Sequence, residues 1–132
     1  MANNVFRLMP DGDPTTGMGP SDMIDASAFT TSDHSETNHT FFQTDDNSIL
    51  SGVWECAPCR EDIEAYPVHE MMTVISGSVT MTNADGSSDT FTAPPTKISS
   101  PIIRLDAVVN IPVSLYTAHQ NSLFLELIVK NT

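Results

Sequence analysis

Basic residues, cysteines and long apolar runs are all scarce in this chain of 132 residues. Five Lys and Arg against seventeen Asp and Glu give a formal net charge of −12, so the chain has no basic stripe that could neutralise nucleic-acid phosphates. The same charge opposes binding to an anionic membrane surface. No apolar run approaches the roughly 18–20 residues of a membrane-spanning helix. We therefore expect a soluble, cytoplasmic protein that binds neither nucleic acid nor membrane.

The two cysteines, Cys56 and Cys59, are separated by an alanine and Pro58. Their spacing is that of a thioredoxin-type redox motif, but the short segment before Pro67 offers no helix N-terminus to stabilise a thiolate. A structural zinc site would need two further ligands at a matching spacing, and the sequence has no second cysteine pair. The pair is therefore interpreted as two ordinary thiols in a reducing compartment.

Short apolar segments separated by turn residues indicate an all-β fold with at most two short helices. The strand-sized segments Ile49–Cys56 and Glu70–Ile75 come first, and Val79–Thr82 then alternates cleanly up to the tight-turn sequence Asn83–Gly86. A final strand is predicted at Ser122–Lys130. Regularly spaced short strands without a long amphipathic helix are typical of a sandwich or a barrel.

The composition divides the chain into two parts. Residues 1–36 are turn-rich and weakly apolar, which predicts an irregular N-terminal arm lying on the barrel or on a partner subunit, with one short element near residues 23–29. Residues 37–132 carry the predicted strands. Within them, residues 94–120 hold four of the nine prolines and no sustained alternation, so we expect this segment to be the least regular part of the domain.

One group of residues carries a family resemblance. It consists of the sequence SGVWE at Ser51–Glu55, Tyr66 four residues before Glu70, and Gly77, which is separated from Glu70 by six residues. With these pieces, residues 37–93 resemble the small single-domain cupins related to ureidoglycine aminohydrolase. The first cupin motif ends in a glutamate followed by six residues and a glycine. The resemblance implies an antiparallel β-barrel of the cupin type, an RmlC-like jelly roll.

Two departures from the cupin pattern bear on the metal site that the resemblance implies. Metal-binding cupins carry His-x-His three or four residues before the motif glutamate, where this chain has Glu64 and Tyr66, or Ile63 and Ala65. The second cupin motif begins Gly-Asp and often supplies a histidine, and no such sequence occurs in residues 94–120. Genuine divergence and a reading-frame slip in the source gene would each explain the missing motif.

Glu70 is the main candidate for a catalytic or metal-binding residue. On a strand it shares parity with Glu64 and Tyr66, and a carboxylate inside a barrel is costly unless it meets a metal, a cation or several donors. The alternative is a structural charge paired with an arginine. Trp54 and Tyr66 are the candidate ligand-binding residues, although both also suit core or rim packing. The candidate metal ligands are Glu64, Glu70 and His69, the last with the opposite strand parity.

Two functions are compatible with these residues. The first is a small-molecule-binding or degenerate cupin barrel, which the two missing motifs favour and which needs no cofactor. The second is a metal-dependent cupin enzyme acting on a small nitrogenous or carboxylate metabolite, as the resemblance to ureidoglycine aminohydrolase implies. Its carboxylate and phenol ligands would favour one divalent ion such as manganese over zinc or copper. In either case a homodimer is expected, because the arm and the last strand present more apolar or unpaired surface than one small barrel covers.

Overall fold

The computed structural model of the protein describes residues 7–64, 69–93, 107–109 and 113–130. Strands dominate these residues, and the one helix among them is a single 3₁₀ turn, so the predicted all-β class is confirmed. In chain order the elements are β1 (Gly19–Pro20), the 3₁₀ helix (Ala26–Ala28), β2 (Glu36–Gln43), β3 (Ile49–Cys56), β4 (Arg60–Glu61), β5 (His69–Asn83), β6 (Ser88–Thr92), β7 (Ala107–Val109) and β8 (Val113–Lys130).

The eight described strands form one antiparallel sheet with β8 and β5 at its centre. Its order is β1-β2-β3-β8-β5-β6, and β4 also pairs with β8 while β7 also pairs with β5. The long strands β5 and β8 therefore each have neighbours along both edges. Interior strands of this kind use their backbone N–H and C=O groups in the ladder, so the chemistry of this region depends on side chains.

The main hydrophobic cluster of the described residues lies on one face of the sheet, and Val53 of β3 is buried on the opposite face. The side chains of β5 change parity along the strand, from the even-numbered Met72 and Val74 to the odd-numbered Val79 and Met81. Register irregularities between Val74 and Ser78 produce this change, and Gly77 adopts a φ of 75° there. The buried cluster comprises Trp54, Cys56, Cys59, Met72, Val74, Val79 and Met81.

The strand predictions differ in how well they agree with the structure. The bounds predicted for β3, Ile49–Cys56, are confirmed. The two strands predicted on either side of Gly77 are a single bulged strand, β5. The prediction that the last strand starts at Ser122 is wrong, because β8 already begins at Val113. Its first half, residues 113–121, mixes strand-forming residues such as Val113 and Tyr116 with polar ones, and it pairs with β5 and β4.

The N-terminal arm is attached to the edge of the sheet. Its residues Gly19 and Pro20 form β1, which pairs with Asn38 and Thr37 of β2. The short element predicted near residues 23–29 is the 3₁₀ helix, which Asp25 caps by accepting a hydrogen bond from the backbone N–H of Ser27. The part of the chain that the structure describes contains no helix long and apolar enough to cross a bilayer.

Candidate functional site

Glu70 is a buried carboxylate in the middle of the sheet, with 4% of its surface exposed. It lies near the start of β5, opposite Val109 of β7 on one side and Val129 of β8 on the other. Val129 in turn pairs with Leu50 of β3, so the nearest residues on either side of Glu70 in its register row are apolar, and the polar Gln43 of β2 lies beyond Leu50. Glu70 also shares parity with the buried Met72, which places it on the core face of the sheet.

This position decides what kind of group can neutralise Glu70. Because β5 is paired on both edges here, the neighbouring backbone donors are engaged in ladders. A charged carboxylate away from water is costly unless charges or donors compensate it. Side chains or a bound molecule are the groups that can supply this compensation at a mid-strand position. Glu70 also takes part in an interaction within its own chain, and its role in ligand recognition stays a prediction.

Trp54 lies on β3 two strands away, in the register row that also contains Leu125 and Val74. It is 5% exposed and belongs to the core cluster. Its indole Nε1 donates a hydrogen bond of 2.8 Å to Glu36. The polar atom of the indole is thus committed to the protein, so a ligand would meet only the ring face. The ligand-binding role of Trp54 stays a prediction.

Glu36 is a second buried carboxylate, and no motif in the sequence marks it as a candidate. It is the first residue of β2, is 8% exposed, and accepts four hydrogen bonds. The donors are Ser21 Oγ at 2.7 Å, the backbone N–H groups of Met23 at 3.1 Å and Ile24 at 3.0 Å, and Trp54 Nε1. Three of the four donors therefore come from the arm, and the fourth comes from the core.

The hydrogen bonds of Glu36 also determine its ionisation. Burial by itself raises the pKa of this carboxyl, but the bonds from Trp54, Ser21 and the two backbone N–H groups outweigh burial and hold the pKa below its ordinary value. Glu36 is thus ionised at neutral pH and fully occupied by donors from its own chain. We assign it a structural role, in which it fastens the arm to the barrel.

The remaining predicted site residues are not gathered around Glu70 by the described part of the chain. Glu64 is exposed in the segment between β4 and β5. His69 begins β5 opposite Lys130, but its side chain lies outside the described residues, as does Tyr66. Within the described ranges, no three His, Cys, Asp or Glu side chains are close enough to hold a metal ion. The metal site at Glu64, His69 and Glu70 therefore stays a prediction, and the described residues do not make up a ligand set by themselves.

Comparison with known proteins identifies the fold. Residues 44–93 match the family model of the EutQ-like cupin domain. No curated protein sequence matches the chain. Among solved structures, the chain is similar to a protein of unknown function of the DUF861 family from Pseudomonas syringae pv. tomato str. DC3000, at 18% identity and a TM-score of 0.66. That alignment covers 90% of this chain and 46% of the Pseudomonas protein, so this chain spans less than half of that relative.

Two EutQ structures are also similar to this chain. The Clostridium difficile EutQ protein matches at 17% identity and a TM-score of 0.59, over 89% of this chain and 82% of that protein. A Salmonella typhimurium LT2 protein described as a putative ethanolamine utilization protein matches at 12% identity and a TM-score of 0.58, over 96% of this chain and 93% of that protein. Similarity at these identities is similarity of fold, and it agrees with the cupin architecture that the sequence predicts.

Proposed function

We propose that this chain, a cupin-domain protein, is a small-molecule-binding barrel in which Glu70 anchors the ligand. The observation that supports this proposal is the burial of Glu70 on the core face of the sheet, where the residues directly opposite it on the two neighbouring strands, Val109 and Val129, are apolar. Binding sites for small molecules are typically apolar surfaces with a few well-placed polar groups. A single carboxylate among apolar strands has that composition.

The charge of the anchor indicates the chemistry of the ligand. A cationic ligand favours the ionised form of a buried carboxylate, which then accepts its hydrogen bonds, so a small molecule carrying an amine or another N–H donor complements Glu70. A carboxylate ligand would be repelled at this position. Ethanolamine occurs in the name of the similar Salmonella protein and is a small primary amine of this kind. It is therefore the first ligand to test.

Calorimetric titration tests this proposal. We expect saturable binding of ethanolamine, or of another small primary amine from a panel, to the wild-type protein, and no binding of the uncharged, similar-sized ethylene glycol. Glu70→Gln should weaken the affinity at least tenfold, because it removes the charge and keeps the shape. Asp89→Asn is the matched control, since Asp89 is exposed on β6 and its replacement should leave affinity unchanged. Equal affinities for the wild type and Glu70→Gln would contradict the proposal.

A metal-dependent, ureidoglycine aminohydrolase-like enzyme is the second candidate function. It is favoured by the position of Glu70 within the matched cupin region, where the spacing of Glu70 and Gly77 corresponds to the end of the first cupin motif. A bound divalent ion would act as a Lewis acid towards a small nitrogenous or carboxylate substrate. Elemental analysis of the purified protein separates the two functions. Stoichiometric manganese that is lost in Glu70→Gln would establish the metal-dependent site, whereas amine binding without stoichiometric metal supports the binding barrel.

We also propose that the protein acts in the cytoplasm as a homodimer. Its support is the exposure of three large apolar side chains on the described surface, namely Met23 at 56%, Ile75 at 37% and Ile49 at 36%. The net charge of −12 opposes self-association at low salt, so the interface would be chiefly apolar. Light scattering in moderate salt should give twice the mass of one chain. A monomeric mass at high protein concentration would contradict the dimer.

A further inference from the structure

The two cysteines lie face to face beneath the arm. Cys56 is the last residue of β3 and 2% exposed, and Cys59 is 0% exposed at the end of the turn that follows. Their sulfur atoms are 3.8 Å apart and are not joined. A disulfide has an S–S distance of about 2.05 Å, so the two side chains must move closer together before the sulfurs can bond. Proximity of this kind raises the effective concentration of one thiol at the other.

The segment 56–59 is also the platform on which residues 29–36 rest. Ala57 donates its backbone N–H to the carbonyl of Ser35 at 2.8 Å, and Thr30 donates its backbone N–H to the carbonyl of Pro58 at 2.9 Å. Cys56 is paired with Glu36 in the β2–β3 ladder. Cys59 forms an isolated antiparallel β-bridge, through its backbone, with Phe29. Both cysteines thus flank the backbone groups that hold this part of the arm in place.

We propose that Cys56 and Cys59 are a redox modification site, at which oxidation forms an intramolecular disulfide that stiffens the platform for residues 29–36. The oxidant is a small-molecule disulfide such as oxidised glutathione. One thiol displaces a glutathione thiolate to give a mixed disulfide, and the second thiol then displaces the other glutathione. The two protein thiols lose two electrons and two protons in total, and two reduced glutathione molecules leave.

The environment of the thiols makes this site different from a redox catalyst. The pKa of Cys56 is raised above its ordinary value. The hydrogen bond between the two thiols contributes most to this shift, and burial and the nearby carboxylates contribute less. The thiolate is the attacking species, so oxidation is slow and proceeds when the turn opens. This agrees with the sequence analysis, which predicts no activated thiolate here. The raised pKa of Cys56 disfavours a thiolate in the reduced pair, so we expect the disulfide to resist reduction once it has formed.

Equilibration of the full chain in glutathione buffers of increasing oxidising strength tests the proposal. After alkylation of remaining thiols, mass spectrometry should show a species that has lost two hydrogen atoms and carries no alkyl group on Cys56 or Cys59. The equilibrium constant for disulfide formation should be at least tenfold larger in the folded protein than in denaturing urea, because the fold holds the sulfurs together. An equal or smaller constant in the folded protein would overturn the proposal, as would a product limited to mixed glutathione adducts.

Hydrogen exchange measures the consequence for the arm. The amides of Thr30 and Ala57, which make the two platform bonds, should exchange several-fold more slowly in the oxidised protein than in the reduced protein. The Cys56→Ser and Cys59→Ser variants are the controls, since each keeps a small polar side chain and cannot form the internal bond. Both should behave like the reduced protein in either buffer. Slower exchange in these variants under oxidising conditions, or no change in the oxidised wild type, would contradict the effect on the arm.

Discussion

The two buried glutamates differ in where the chain places them, and this difference is the basis of the binding role proposed for Glu70. Glu36 begins a strand and faces the arm, whose backbone N–H groups lie outside any ladder and are available as donors. Glu70 lies within a strand paired on both edges, where the ladder engages the neighbouring backbone groups. A carboxylate at a strand end can thus be satisfied by its own chain. One inside a sheet depends on side chains or on a bound molecule.

The largest expected effect in this comparison is the loss of stability in Glu36→Ala. The substitution leaves Trp54 Nε1, Ser21 Oγ and two backbone N–H groups without their acceptor, so the free energy of unfolding should fall by about 2–4 kcal/mol. Urea unfolding followed by the fluorescence of Trp54, the single tryptophan, measures the change.

Glu55→Ala is the matched control for this variant. Glu55 lies beside Trp54 on β3 but is half-buried, and its replacement should change the free energy of unfolding by about 0.5 kcal/mol or less. If the two variants were equally stable, the arm would not be fastened through Glu36.

Two glycines, one in the sheet and one in the arm, differ in how closely the neighbouring backbone approaches them. A Cβ on Gly52 of β3 would collide with the backbone carbonyl of His39 and lie 3.1 Å from the Cα of Thr40. Because both contacts are with backbone, Gly52→Ala should lower the free energy of unfolding by about 1–3 kcal/mol. Gly19→Ala on β1 is the control, since its Cβ would make only an ordinary 3.7 Å contact with Asn38. Comparable losses in both variants, measured by urea unfolding, would contradict the close packing of β2 on β3.

The pH dependence of stability should also report on Glu36. Its pKa in the folded protein lies below the ordinary value of 4.5, so its contribution is fully present above that value and is lost as pH falls through the folded pKa. The free energy of unfolding should therefore fall less steeply below pH 4.5 in Glu36→Gln than in the wild type. Exposed aspartates with lowered pKa values contribute equally to both proteins and cancel in the difference. Parallel curves would show that the four donors do not favour the ionised form.

The smallest expected effect concerns exposed hydroxyl groups, in contrast to the buried carboxylates. Thr80 of β5 and Thr90 of β6 are opposite each other, and their hydroxyl oxygens are 2.8 Å apart. Water competes for this bond, so Thr80→Val should lower the free energy of unfolding by only about 0.5 kcal/mol. A loss as large as that of Glu36→Ala, measured by the same urea unfolding, would mean that burial does not distinguish the two kinds of polar contact.

The sequence predicts the elements that depend on local pattern and misses those that depend on distant pairing. The pattern around Trp54 predicts β3 with its correct bounds, and Glu70, singled out as a carboxylate inside the barrel, is buried. The shared strand parity of Glu64 and Glu70 does not extend to burial, because Glu64 is exposed. Glu36 has no such signal, because its donors lie 12–18 residues away in the irregular arm and on β3. The first half of β8 is missed because its apolar and polar residues do not alternate over its length, and its pairing with β5 extends the strand back to Val113.

The account is tested most directly by the free energy of unfolding of Glu70→Gln, measured beside that of Glu36→Gln. A carboxylate whose role is to bind a ligand lowers the free energy of unfolding or leaves it unchanged. A carboxylate whose role is structural raises the free energy of unfolding. We expect Glu70→Gln to remain within about 1 kcal/mol of the wild type while Glu36→Gln loses more than that. A loss in Glu70→Gln as large as that in Glu36→Gln would contradict the account, because both glutamates would then serve the fold.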